Sequence, residues 1–514
     1  MSAAWMSGYV SDVAYTLGYY RELAPSFLNY VCVANGVEGL REGRRLRYCE
    51  LGCGRGYGTT LLAAANPDID FVGIDFNPTH IGEARDLADK CGLSNLTFLE
   101  MAFGDAAASN DKLLAEFDVI VMHGVYTWVD LSVRRDIVNF FRTKLVPGGI
   151  AYISYNTYPG WAAATPIQHI LKQAADRHTG NTLTRLAKAQ QTLVSLVQND
   201  AAYVAQNPSV KSRIEGLAKQ DAAYLAHEFL HENWEPIYVT EAFRDFGEAK
   251  LSYIGSASIG ENRLSFSVPA KMVASIEAAP DLALREQLKD YAANKQFRRD
   301  VYVKGPIKLS AVQQKRRFDA LTFYLTASFS QLPESWAIPA GQARMLPGLI
   351  EAIIERLKKG PATGGELDAV ATAAGFPKSD VQQVMEILVH NNAALPGRGD
   401  WASLDRSATD RLNQAVLDLS LVDDTHKFLA APALGSAVGT NFLERLALPV
   451  LLDNEGKDTA ATAGLVFDRM EKADKRMTKD GRQLDRSNFD EVEKMVGGLQ
   501  RQLLSRLREF GSVA

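Results

Sequence analysis

The run Glu50-Leu51-Gly52-Cys53-Gly54-Arg55-Gly56-Tyr57-Gly58 constrains this chain more than any other segment. It follows an apolar stretch, LRYCEL, and precedes TTLLAAA, so its glycines fall in a strand-to-helix turn. Glycines there let the backbone turn tightly and approach a ligand more closely than any side chain permits. A pyrophosphate-binding loop needs G-x-G-x-x-G, with the third glycine opening the helix. Counted from Gly52 that position is Tyr57, and counted from Gly54 it is Thr59. The spacing therefore fails the dinucleotide fingerprint and fits a ligand without a pyrophosphate.

The loop sits in a repeating context. From Arg45 to about Tyr155, LRYCEL, DFVGID, LTFLEM, FDVIVM and GIAYISY read as strands separated by helix-length segments. That alternation predicts an α/β fold with a doubly wound parallel sheet, whose ligands lie beyond the carboxyl ends of the strands. The second strand ends at Asp75, roughly 20 residues past the glycines, where a carboxylate takes both hydroxyls of a ribose.

The remaining chain divides by pattern. Residues 1–165 read as the ligand-binding domain, completed by 235–270 through the strand-like LSYIGSAS and NRLSFSV. Residues 166–234 read as a helical insertion, a lid or dimerisation region. Residues 271–400 form a middle domain, in which three short helices between 346 and 396 predict a winged-helix-like module. Residues 401–514 read as mainly helical and end in the stripe Val492, Val496, Leu499, Leu503, Leu507 and Phe510. Tyr9, Tyr15, Tyr19 and Tyr20 precede the first strand and suit either a cap over the ligand or an ordinary packed helix.

Composition narrows the class. A chain of 514 residues exceeds one core. Its net charge of −5 gives no footprint for nucleic acid or anionic membranes. No apolar run is long enough for membrane insertion, and MSAAWMSGYVSD lacks the form of a signal peptide. The cysteines Cys32, Cys49, Cys53 and Cys91 form no C-x-x-C pair, which predicts reduced thiols and a cytoplasmic protein.

The segments GYVSDVAYTLGYYRELAP, ELGCGRGYGTTLL, HGVYTWV and ISYNTYPGW are joined by YLAHEFLHENWEPIY at 224–238 and DYAANKQFRR at 290–299. Together they resemble the class I methyltransferases that carry a methyltransferase regulatory domain. The resemblance implies a Rossmann-like sheet and S-adenosyl-L-methionine as cofactor. It also implies a dimerising helical region, with the later domains used for substrate recognition. The family's best-studied members are similar to bacterial lysine methyltransferases that modify an outer-membrane protein inside the cell. E-x-G-x-G-x-G resembles the family's first motif, which assigns Glu50, Gly52, Gly54 and Gly56 to the cofactor, with Asp75, Phe76 and His123. Phe103-Gly104-Asp105 matches the position whose acidic side chain meets the adenine amino group.

The fourth and fifth strands lead into the acceptor side. Tyr126 and Trp128 are candidate catalytic residues because aromatic faces attract a sulfonium or a methylammonium. Asn156 is placed to hydrogen-bond an amine, and Trp161 follows the Pro159-Gly160 turn. No Asn-Pro-Pro-Tyr motif marks a nucleic-acid methyltransferase, so the acceptor stays open between a protein lysine and a small-molecule or saccharide hydroxyl. A cofactor-binding regulator without catalysis is the third alternative. His227-Glu228-Phe229-Leu230-His231 has the form H-E-x-x-H, but no third ligand follows, and a structural helix is expected with no metal. The basic residues Arg298, Arg299 and Lys315-Arg316-Arg317 read as solvated helix faces. The helix SDVQQVMEILVHN carries no Lys or Arg, so the winged-helix-like module reads as a protein-interaction unit rather than a DNA reader.

Overall fold

The computed structural model describes residues 17–513 apart from 42, 218, 330, 480, 481 and 485. All five apolar runs form strands: β1 Leu46–Leu51, β2 Ile69–Asp75, β3 Leu96–Glu100, β4 Phe117–Met122 and β5 Leu145–Asn156. They pair in parallel, and two later strands, β6 Leu251–Ser256 and β7 Phe297–Lys304, complete a seven-stranded mixed sheet. The order is β3-β2-β1-β4-β5-β7-β6, with β7 antiparallel to both neighbours. Strand order reverses between β1 and β4, and the crevice at that switch point is where this architecture binds ligands.

The strands are continuous apolar runs because helices cover both faces. Tyr48, Phe71, Val119, Val121, Ile150 and Tyr152 point to one side, where the helix Pro25–Ala34 packs. Cys49, Leu51, Ile74, Ile120, Ile153 and Tyr155 alternate to the other, against the helices Leu131–Lys144 and Val239–Glu248. The two-residue period of a strand thus separates two cores.

One sequence expectation is corrected here. LSYIGSAS supplies β6, but within NRLSFSV the segment Leu264–Ser267 is helical, and the seventh strand lies beyond 235–270 at Phe297–Lys304. Its charges hid it. Buried Arg298 reaches Asp300 at 3.0 Å, Asp290 at 2.6 Å and Glu286 at 3.0 Å, so charges that argue against a core strand neutralise one another inside the fold.

Among the described residues six helices lie between β5 and β6, and the first five, including Thr165–Asp176, Thr182–Gln198 and Ala222–Leu230, enclose their own small core. Later, the helices Leu349–Leu357, Gly364–Ala373 and Ser379–His390 stand beside a three-stranded sheet of Thr322–Leu325, Ala362–Thr363 and Ala394–Gly397, a winged-helix-like module. The C-terminal region is mainly helical. Its last helix, Phe489–Glu509, buries Val492, Val496, Leu503 and Leu507 against a core that also takes in Tyr57, Leu61 and Ala64 of the helix following the glycine loop. No helix among the described residues is long and apolar enough to cross a membrane.

Candidate functional site

The glycine loop turns as its sequence requires. Gly52, Gly54 and Gly56 all have positive φ, near 71°, 54° and 71°. A side chain at Gly52 would meet Val125 at 2.6 Å, and one at Gly56 would meet Ala84 at 2.5 Å and Phe98 at 2.6 Å. Gly56 also caps the helix Tyr57–Ala65 in the left-handed conformation that other residues resist. Beneath the loop, the Asp75 carboxylate accepts hydrogen bonds from the Gly54 N–H at 3.0 Å and the Asn77 N–H at 2.9 Å. Each oxygen keeps lone-pair capacity for a further donor.

These groups open onto a cavity of about 250 Å³ at the switch point. Glu50, Gly52, Gly54, Gly56, Asp75, Phe76 and Phe103 line it, and Tyr19, Tyr20, His123, Trp128 and His231 line its other parts. Glu50 is buried, with Thr59 Oγ1 donating to it at 2.5 Å, and burial pushes its carboxyl up to about 7. Opposite, the His123 ring stacks on Tyr20 at 3.6 Å, and its Nδ1 pairs with the Tyr152 hydroxyl at 2.9 Å. Burial, then the Arg299 charge, holds His123 down to about 3. His231 meets the Trp128 ring edge-on at 5.1 Å and is likewise held to about 3 by burial. Burial thus favours the neutral form of His123 and of His231, while a third imidazole, His80, lines the cavity beside Asp75.

Residues 42–235 match the family described as "Methyltransferase domain", and 221–304 match "Predicted methyltransferase regulatory domain". A Synechocystis sp. protein, sll1526, is 33% identical over 513 residues, covering 99% of each chain. The chain belongs to the methyltransferases that carry this regulatory domain. The Rickettsia prowazekii protein RP789 is 29% identical over 302 residues, 58% of this chain and 53% of its own. The fold is shared with the solved structure of PKMT2 from Rickettsia typhi in complex with AdoHcy, at a TM-score of 0.71 and 17% identity over 96% of this chain and 99% of that one.

The enzyme is a methyltransferase dependent on S-adenosyl-L-methionine, and the residues of the cavity fit that ligand. With the cofactor bound, Asp75 would have two oxygens for a ribose diol, Glu50 a carboxyl for an α-ammonium, and Phe76 and Phe103 flat apolar surface for a base. Asp105 is a different matter. It is exposed on the helix Phe103–Ala108 and does not line the cavity, because the chain turns into that helix before reaching it. Asp136 lines the cavity instead, lying so close to Gly104 that a Cβ there would meet Oδ2 at 2.8 Å.

On the acceptor side the structure brings in Trp128 and excludes three expected partners. Tyr126 turns away, donating to Asp245 at 2.9 Å while its ring packs on Phe246 at 4.8 Å. Asn156 is buried off the cavity, its main chain bonded to Thr127 and Ile237. Trp161 belongs to the core of the insertion, against Trp234 at 4.8 Å and beneath Arg213 at 4.2 Å. Tyr19 and Tyr20 do face the cavity, while Tyr9 and Tyr15 lie outside the described residues.

The methyltransferase's C-terminal region grips this site from behind, a role with no local sequence signal. The Tyr57 hydroxyl donates to the Phe428 carbonyl at 2.6 Å and accepts from the Phe428 N–H at 3.0 Å. The Tyr19 hydroxyl pairs with Ser436 and accepts from the Ala437 N–H at 3.0 Å. Thr409 donates to Ala64 at 2.7 Å, and Arg398 grips Asp68 through two bonds, at 2.6 and 2.8 Å.

Proposed function

We propose that the enzyme methylates lysine side chains of a protein acceptor. The observation that carries this reading is the ring-lined wall away from Asp75, where Tyr20, Trp128 and the neutral imidazoles of His123 and His231 face the cavity, while the third imidazole, His80, lies beside Asp75. A hydroxyl acceptor must lose a proton as it attacks, and efficient help comes from a base titrating near the working pH. His123 and His231, held near 3 by burial, do not act as that base, and Glu50, pushed up to about 7, stands beside the glycine loop at the cofactor's end of the cavity. A lysine amine attacks through its own lone pair once deprotonated. Its free pKa is about 10.4, and an apolar surround lowers that by disfavouring the ammonium.

S-adenosylmethionine, when bound, supplies a methyl group on a sulfonium that a lone pair displaces in line. Around it Tyr20, Trp128 and His231 exclude water and present ring surface. His123, fixed by Tyr152 and Tyr20, shapes the cavity rather than titrating in it. Support also comes from PKMT2, which shares the fold and is itself solved with AdoHcy. A cytoplasmic setting and self-association through the insertion belong to the same reading. Exposed Leu183 and Val194 on one insertion helix suit the latter, which sedimentation of the full chain checks.

The test is transfer of labelled methyl groups from S-adenosylmethionine into a lysate, followed by separation of protein from small molecules. Label in protein, at a rate rising from neutral to alkaline pH, is expected. Label confined to small molecules, with a profile set by an imidazole near 6.5, would overturn the reading.

A further inference from the structure

The helix Ala222–Leu230 carries a carboxyl that nothing above uses. Tyr224, Glu228 and His231 are spaced by four and three residues, so they run along one face. Tyr224 is 40% exposed at the outer end, and His231 lines the cavity at the inner end. Glu228 stands between them, 7% exposed, close enough to Tyr224 for the phenol to favour its charged form. This face runs from solvent to His231 at the cavity wall, with Glu228 one turn behind that wall and within electrostatic reach of Tyr20.

The surroundings of Glu228 come from three elements. Tyr224 shares its helix, Tyr20 of the cavity wall interacts with it electrostatically, and Arg213 acts on it from the helix Pro208–Leu217. The Arg213 guanidinium is taken up elsewhere, donating to Gln296 at 2.8 Å and lying over Trp161 at 4.2 Å. Among the described residues Glu228 has no ion-paired cation. A carboxyl buried in this way is costly to ionise, and burial pushes it up to about 8, with Arg213 and Tyr224 drawing it back. An incoming ammonium would complete the missing pair.

We propose that a lysine enters along the Tyr224–Glu228–His231 face and that Glu228 receives its ε-ammonium and takes its proton. The proposal rests on the lysine reading above. One N–H bond breaks and one O–H bond forms on Glu228. The freed lone pair forms the N–C bond as the S–C bond of the methyl donor breaks, its electron pair remaining on sulfur. The proton then leaves Glu228 for water past Tyr224. A base titrating close to working pH suits this step, and neither His123 nor His231 provides it.

The test compares full-length wild type with Glu228→Gln and Glu228→Asp. Three quantities are read: S-adenosylhomocysteine affinity, Nε-methyllysine formed in lysate protein, and binding of n-butylammonium in the presence of S-adenosylhomocysteine. For Glu228→Gln the expected result is unchanged S-adenosylhomocysteine affinity, loss of n-butylammonium binding, and turnover at neutral pH lower by about 10²-fold. Wild-type turnover should level off above a pH of about 8. Glu228→Gln should instead keep climbing toward the free-lysine range, and Glu228→Asp should recover part of the rate. Equal turnover and equal n-butylammonium binding in Glu228→Gln would overturn the role of Glu228 while leaving lysine as acceptor. Methyl groups found on a residue other than lysine in wild type would overturn both.

Discussion

Replacing Asp75 by alanine removes the carboxylate on which the cofactor reading depends. In the free enzyme its two oxygens hold the Gly54 and Asn77 N–H groups at 3.0 and 2.9 Å, and they remain able to accept from two ribose hydroxyls. Hydrogen bonds to a charged acceptor contribute about 1.5 kcal/mol or more each, so losing the diol pair costs about 3 kcal/mol, on the order of 100-fold in affinity. Asp75→Asn keeps the volume and one accepting oxygen, but its amide cannot accept, so about tenfold is expected. Calorimetry with S-adenosylhomocysteine measures both, and thermal unfolding without ligand shows whether the loop has kept its shape. Alanine and asparagine variants that fold normally and bind as tightly as wild type would refute the placement of the ribose at the end of β2.

Three further outcomes follow from the same cavity. Tyr57→Phe leaves the Phe428 N–H without its acceptor and should destabilise the chain by about 1–2 kcal/mol, read as a lower denaturant midpoint. Glu50 titrates near 7 in the fold against 4.5 ordinarily, so its contribution to stability is full below 4.5 and is lost as pH rises through 7. A cofactor ammonium reverses that preference. S-adenosylmethionine binding should therefore release protons near pH 6.5, within that window, as calorimetry in buffers of different ionisation enthalpy would detect, and Glu50→Gln should abolish the release. His123→Ala should lower turnover through lost packing against Tyr20 and leave the shape of the pH–rate profile unchanged.

Much of this site was legible because strand ends and glycine turns are local features. The run from Glu50 to Gly58 and Asp75 needed only a strand, a tight turn and a helix, and each lies where its spacing implies. Side-chain direction was not legible beyond the strands. Tyr126 and Trp128 share one short helical turn yet diverge, one toward Phe246 and the other toward His231, because separate cores compete for them. Trp161 was claimed by an insertion whose core is assembled from residues as distant as Trp234. β7 has no apolar signature because Arg298 is neutralised by Asp290 and Glu286 of a neighbouring helix as well as by Asp300. The hold of Phe428 and Ser436 on Tyr57 and Tyr19 spans about four hundred residues, and no window of sequence reports it.

The decisive quantity is the chemical identity of the methylated atom. Protein labelled from isotopic S-adenosylmethionine by the purified enzyme is hydrolysed completely in acid, and the amino acids are separated against Nε-methyllysine standards. The predicted result is label in Nε-methyllysine, absent when Asp75→Ala replaces wild type at limiting cofactor. Label released as methanol under mild base, or carried by sugars or small molecules, would contradict lysine as the acceptor.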